Sequence, residues 1–193
     1  MSFNKANPET IELLLNRRSV KTKDMTGPGP SIDELEIILT AAARVPDHGK
    51  LAPWRYIALL EDDRKKLGDI IAHALEVEKD VSDSVREKMR DYGMQAPICI
   101  VAIHSLSDKR PIPAWEQELS TGASIMNLLV ATHALGYVGQ WLTGWAAFSP
   151  TVASGLGLNE QEKVAGFIFL GSQDRQPTER PRPLLDEIVS WKI

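Results

Sequence analysis

One cysteine, Cys99, is all that this chain of 193 residues carries, so no intramolecular disulfide can form. It lies inside an apolar run over residues 97–103, where a thiol is expected to be buried and inert rather than nucleophilic. No apolar run approaches the roughly 20 residues that span a bilayer, and Met1 to Pro8 lack the apolar core of a leader peptide. The cytoplasm is the expected address. There is no excess of positive charge either: the formal net charge is −4, which argues against nucleic acid as the main partner. The four histidines, His48, His73, His104 and His133, have no metal-ligand spacing with each other or with Cys99. No HExxH, CxxC, GxSxG, Walker loop or GxGxxG occurs, so the commonest metal, hydrolase, NTPase and Rossmann signatures are missing.

What remains is the composition of an ordinary globular protein, 43% hydrophobic and 25% charged. A single domain over 1–193 of this size can bury roughly 70% of its unfolded surface. Asn7-Pro8-Glu9 supplies a cap, a first-turn proline and an acid to a helix that stops near Arg17. Ser31 and Glu34 form a capping box for a second helix, which delivers Arg44 at its end. Residues 56–60 read as a strand, and 62–90 as one or two amphipathic helices whose charged half, 76–90, is expected to be solvated or a mobile lid. Residues 97–103, apolar on both alternating faces, predict a central strand covered on both sides. A long helix over 115–135 is rich in small residues and ends at Gly136. Residues 137–141 and 164–170 are β-prone, with a short helix opening at Ser149-Pro150-Thr151 between them. The arm over about 173–193 opens with a proline- and arginine-rich stretch, 173–183, expected to be extended.

Two segments carry the chemistry. Arg17-Arg18-Ser19 offers two guanidiniums and a hydroxyl for a phosphate or a polar ring edge. Val45-Pro46-Asp47-His48-Gly49-Lys50-Leu51-Ala52-Pro53-Trp54 is a proline-bounded turn whose backbone N–H groups are expected to point outward. Taken alone, the arginine pair also reads as a helix end balancing its dipole, and the turn as a plain structured turn. Glu116 and Glu118, two residues apart on a helix, face different ways and read as first-turn acids favoured by the dipole.

The order and spacing of six segments resemble the FMN-dependent nitroreductase family over almost the whole chain. They are Glu12-Leu13-Leu14-Leu15-Asn16-Arg17-Arg18-Ser19; Ala41-Ala42-Ala43-Arg44-Val45-Pro46-Asp47-His48; Pro53-Trp54; Pro113-Ala114-Trp115-Glu116-Gln117-Glu118; Leu135-Gly136-Tyr137-Val138-Gly139-Gln140-Trp141; and Val164-Ala165-Gly166-Phe167-Ile168-Phe169-Leu170-Gly171. The Pro-Asp-His turn and Trp-Glu-Gln-Glu helix start resemble the small single-domain branch.

The resemblance implies an α+β, three-layer α/β/α fold with a mostly antiparallel central sheet, in an intertwined homodimer holding FMN at the subunit interface. It assigns Arg17 and Ser19 to the flavin phosphate and ribityl chain, Arg18 to the ring edge, and Arg44, His48 and Lys50 to the isoalloxazine. Trp141, Leu142, Thr143 and Gly144 would reach its other side, and Arg182, or else Arg180, its phosphate. It further implies an NAD(P)H-dependent oxidoreductase reducing nitroaromatic, quinone or similar acceptors in ping-pong fashion, with no catalytic side chain and no metal, because flavin N5 carries the hydride. Another redox reaction on the same cofactor, or a flavin-binding sensor docking through 76–90, stays open. Asp47, Lys50 and Ala52 stand where many members carry serine, asparagine and glutamine, which leaves the substrate range open. A Lys50 turned inward would raise the flavin potential.

Overall fold

In a computed structural model, residues 5–192 are described; Met1 to Asn4, part of the leaderless reading, lie outside them. The helices are α1 Pro8–Asn16, α2 Ile32–Ala42, α3 Asp63–Glu78, α4 Asp83–Arg90, α5 Ala114–Ala134, α6 Pro150–Gly155 and α7 Leu185–Ile188. The strands are β1 Trp54–Leu59, β2 Ile98–Ser105, β3 Val138–Leu142 and β4 Glu162–Gly171. The caps expected from sequence are formed. Asn7 Oδ1 accepts from Thr10 N at 3.1 Å, and Ser31 and Glu34 exchange both capping-box bonds.

The four strands form one antiparallel sheet in the order β1-β2-β4-β3, so the apolar run expected to be central lies inside the sheet. Its alternate residues serve two cores. Ile98, Ile100 and Ala102, with Ile168 and Leu170 of β4, meet α2 and α5 through Leu35, Ile38, Ile125 and Leu128. Cys99, Val101 and Ile103, with Phe167 and Phe169, meet α3 and α6 through Leu67, Ile71 and Val152. The result is the α/β/α layering that the family resemblance implied. Burial raises the Cys99 thiol to about 12, so it stays protonated and unreactive.

The charged segment expected to be a solvated or mobile lid is solvated, with no residue of α4 buried, but its end rests on α3. A Cβ on Gly68 of α3 would lie 1.7 Å from the Arg90 carbonyl oxygen, so this glycine is what lets the end of α4 approach α3. Arg90 bonds Asp69 across the contact at 2.7 Å, and Tyr92 just beyond packs edge-on against Phe167 and Phe169. From Gln173 to Pro183 the tail forms neither helix nor strand and bends at Asp174 and Arg175 before the single turn of α7.

Candidate functional site

The C-terminus of α1 hands the chain to Arg17, whose backbone N–H caps Leu13 while its side chain turns inward. Its Nη2 lies 3.5 Å from Ser19 Oγ, and its Nε is buried with no hydrogen-bond partner among the described residues. Burial first, then the neighbouring charges of Arg182 and Arg18, lower the pKa of this guanidinium. Arg18, with only 15% of its side chain exposed, donates to the Thr178 carbonyl and pairs with Glu179 at 3.3 Å. Arg182 reaches the same Glu179 at 3.6 Å. The arm therefore crosses back over the end of α1, and Arg17, Arg18, Ser19 and Arg182 lie in one cluster. One exposed carboxylate, Glu179, pairs with two of these guanidiniums, those of Arg18 and Arg182.

Two cavities open on this cluster. The larger, about 570 Å³, is lined by Arg18, Ser19, Lys21, Lys23, Arg175 and Thr178 among others. The smaller, about 310 Å³, is lined by Asn16, Arg17, Arg18, His133, Gln173, Gln176 and Pro177. Lys21, His133 and Gln173 were not singled out for this role from sequence. Lys21 stands two residues beyond Ser19 and could have been read as part of the same basic cluster; His133 and Gln173 carry no local signal, since chain folding alone brings them to Arg17.

The turn between α2 and β1 is a second centre, and its backbone corrects the sequence reading. The N–H groups of Leu51 and Ala52 do not point outward: both donate to the Asp47 carboxylate, at 3.0 and 2.8 Å. Each oxygen of the Asp47 carboxylate thus takes one backbone donor as a charge-assisted hydrogen bond. The turn holds Gly49, Lys50 and Ala52 at φ of 78°, 57° and 47°, a left-handed conformation that the two non-glycine residues adopt only under external constraint.

That constraint comes from α5, whose polar side chains meet the segment one after another. Ser124 Oγ donates to Ala42 O at 2.7 Å, Asn127 to Arg44 O at 2.9 Å, Ser120 to Pro46 O at 2.6 Å and Thr121 to Pro53 O at 2.9 Å. Glu116 then takes His48 Nδ1 at 2.8 Å. Glu116 thus sits in the first turn of α5, as read from sequence, but its partner is the His48 ring. Arg44, His48 and Lys50 are all exposed.

The last group splits in two. Trp141 donates Nε1–H to Ala165 O at 3.0 Å beside a cavity of about 220 Å³ lined by His104, Glu118 and Lys163. A Cβ on Gly166 would stand 2.1 Å from that indole nitrogen, which is why the strand carries glycine there. Leu142, Thr143 and Gly144 line another cavity, about 310 Å³, with Met89, Tyr92 and Trp145. Within one chain, the residues expected on the flavin are therefore assembled as several separate centres.

Residues 14–172 match the Nitroreductase family. This chain belongs to that family. It is 31% identical over 164 residues, 85% of this chain and 88% of the relative, to "Putative NAD(P)H nitroreductase YdjA" of Escherichia coli (strain K12). Among solved structures, the nitroreductase-like family protein from Bacillus cereus superposes with a TM-score of 0.82 at 23% identity, covering 100% of this chain and 98% of the other. The FMN and NADPH-dependent nitroreductase NfnB from Sphigopyxis sp. strain HMH gives 0.72 at 21% identity over 95% and 98%. These two likenesses establish the nitroreductase fold.

Proposed function

We propose that this chain is an FMN-dependent oxidoreductase that draws electrons from NAD(P)H and reduces nitroaromatics, quinones or similar acceptors, acting as a cytoplasmic homodimer. The observation that carries the reading is the buried Arg17 Nε without a partner, within a cluster of Arg17, Arg18 and Arg182. A buried donor on a charged group is costly to leave unpaired, and repulsion among like charges adds to the cost. A phosphate group arriving in the cavity would relieve both. The residues present therefore fit the phosphate of FMN, and the names of the relatives, an NAD(P)H nitroreductase and an FMN and NADPH-dependent one, support the same assignment.

When bound, FMN supplies hydride acceptance at N5 and passes the electrons on. The chain supplies placement. Arg17 and Arg182 hold the phosphate, Ser19 the ribityl chain, and Arg18 the ring edge while also tying down the arm. The constrained turn presents Arg44, His48 and Lys50 to the ring, and Trp141, Leu142, Thr143 and Gly144 approach from the other side, the groups being drawn from both subunits. Such a site, closed by no side-chain nucleophile, is read as serving donor and acceptor in turn, with ping-pong kinetics.

Arg17→Ala tests the reading. Each charged hydrogen bond is worth about 1.5–3 kcal/mol, so the variant should bind FMN roughly tenfold to a hundredfold more weakly. It should lose yellow colour on gel filtration while keeping its far-UV circular dichroism, because the 3.5 Å approach to Ser19 Oγ is the only side-chain hydrogen bond Arg17 makes among the described residues. Stoichiometric FMN retained through the column would overturn the phosphate assignment. A wild-type protein that binds FMN but oxidises neither NADH nor NADPH with a quinone would overturn the activity.

A further inference from the structure

The small cavity at the end of α1 contains more unpaired polarity than the arginines account for. His133, in the last turn of α5, has its Nε2 buried with no hydrogen-bond partner among the described residues, and Gln173 Oε1, just past β4, is in the same condition. With Arg17 Nε, that makes three orphaned polar atoms on residues lining one space of about 310 Å³. They come from the end of α1, the end of α5 and the arm, so no single element explains them. Their convergence marks a place built for something polar.

The charges facing the imidazole define what that is. Arg17 and Arg18 line the same cavity, while Arg182 stands beside Arg17 and Glu179 bridges Arg18 to Arg182. A helix C-terminus ordinarily favours a protonated histidine. Here burial, and after it the charge of Arg17, pushes His133 down to about 4, so the ring is neutral near pH 7. A dianion beside Arg17 would cancel the second of those causes and add an attraction of its own.

Resting on the flavin reading above, we propose that His133 is a proton-coupled member of the phosphate site. As a phosphate monoester dianion enters beside Arg17, the imidazole takes one proton from solvent and donates its Nε2–H to a phosphate oxygen. No covalent bond forms or breaks, and the complex gains one positive charge on the ring. Arg17 Nε–H supplies a second donor, and the Gln173 carboxamide, turned over, a third. The ligand is recognised as a phosphate monoester; FMN is one source and inorganic phosphate mimics its end group.

Linkage gives the test a readout independent of turnover. If binding takes up a proton, the FMN Kd rises with pH, by at most about tenfold per unit. The range of about pH 7 to 8.5 is the one to use, because it lies above the phosphate's own second pKa of about 6. The full-length protein, stripped of flavin, is titrated with FMN, riboflavin and inorganic phosphate by calorimetry in buffers of low and high ionisation enthalpy. Wild type should show proton uptake with FMN but none with riboflavin, and His133→Gln should bind FMN with no uptake and a flat pH profile; inorganic phosphate, which exchanges a proton of its own in this range, is compared between wild type and His133→Gln, and wild type should take up more. For protein that does not survive stripping, the rate of FMN release from the intact holoprotein across the same pH range carries the same comparison. Equal slopes in wild type and His133→Gln, or equal uptake with riboflavin, overturn the proton-coupled role alone. A wild-type chain that takes no FMN at all overturns the flavin reading and this inference together.

Discussion

A buried carboxylate shows how single residues tie the sheet to its surroundings. Glu162, at the start of β4 and nearly inaccessible, accepts two bonds from Arg55 of β1, at 2.5 and 2.9 Å. Hydrogen bonding from Arg55 outweighs burial and holds its pKa down at about 2, against roughly 4.3 for a free glutamate. Because the folded pKa lies below the unfolded one, the stabilisation is complete above about pH 5 and is lost as pH falls toward 2. Glu162→Gln should therefore cost about 1–3 kcal/mol in urea unfolding at pH 7. The gap between wild type and variant should close as the pH is lowered to about 2.5; a gap of constant size would mean that packing, not charge, is what Glu162 provides. Asp47 teaches the complementary lesson. From sequence it is a departure from the commoner family turn, and only the fold reveals that its two oxygens are occupied by Leu51 and Ala52 N–H.

Among elements, α4 tests how much of a helix's placement rests on one glycine. Gly68→Ala puts a methyl into the Arg90 carbonyl, a backbone group that no rotamer change can move aside. The variant should lose about 2 kcal/mol or more. In hydrogen exchange, residues 83–95 should lose protection while β2 and β4 keep theirs; unchanged protection over 83–95 would show that α4 is held by other contacts. The identities of these elements were legible in the sequence because each has a local cause: the capping box at Ser31, the unbroken apolar run that became β2, the glycine closing α5. Sheet order was not legible. The β2–β4 pairing joins Ile98 to Leu170 and Ile100 to Ile168, and nothing near either residue announces so distant a partner. The turn of α7, four residues long with Leu185 and Ile188 exposed, lacks a buried face from which periodicity could be read. The site divides along the same line. Arg17-Arg18-Ser19 and the Pro46–Pro53 turn are contiguous motifs, whereas the α5 ladder from Glu116 to Asn127 and the cavity wall at His133 exist only once helix and loop are packed.

At the scale of the whole molecule, one chain leaves too much apolar surface uncovered. Trp115 and Leu119 on α5 are 62% and 59% exposed, with Met126 continuing their stripe, and no side chain of α1 is buried. Leu15, at 76%, and Trp191, at 74%, extend the pattern to both ends of the described chain. Patches of this kind mark association surfaces. The division of the candidate flavin residues into separate centres has the same explanation if a second copy brings the missing half of each site. An obligate seam of about 2,000 Å² or more would cover these faces. The native mass should then be twice 21.4 kDa by sedimentation, with bound FMN. Leu119→Glu sets a charge into the seam without touching any residue assigned to the flavin, and leaving that charge buried and unpaired costs about 2–5 kcal/mol. The variant should sediment as a monomer at low concentration and lose FMN in proportion to the monomer formed. Wild type that sediments as a 21.4 kDa monomer with full FMN occupancy would show that a single chain closes the site, and the exposed stripe would then need another purpose.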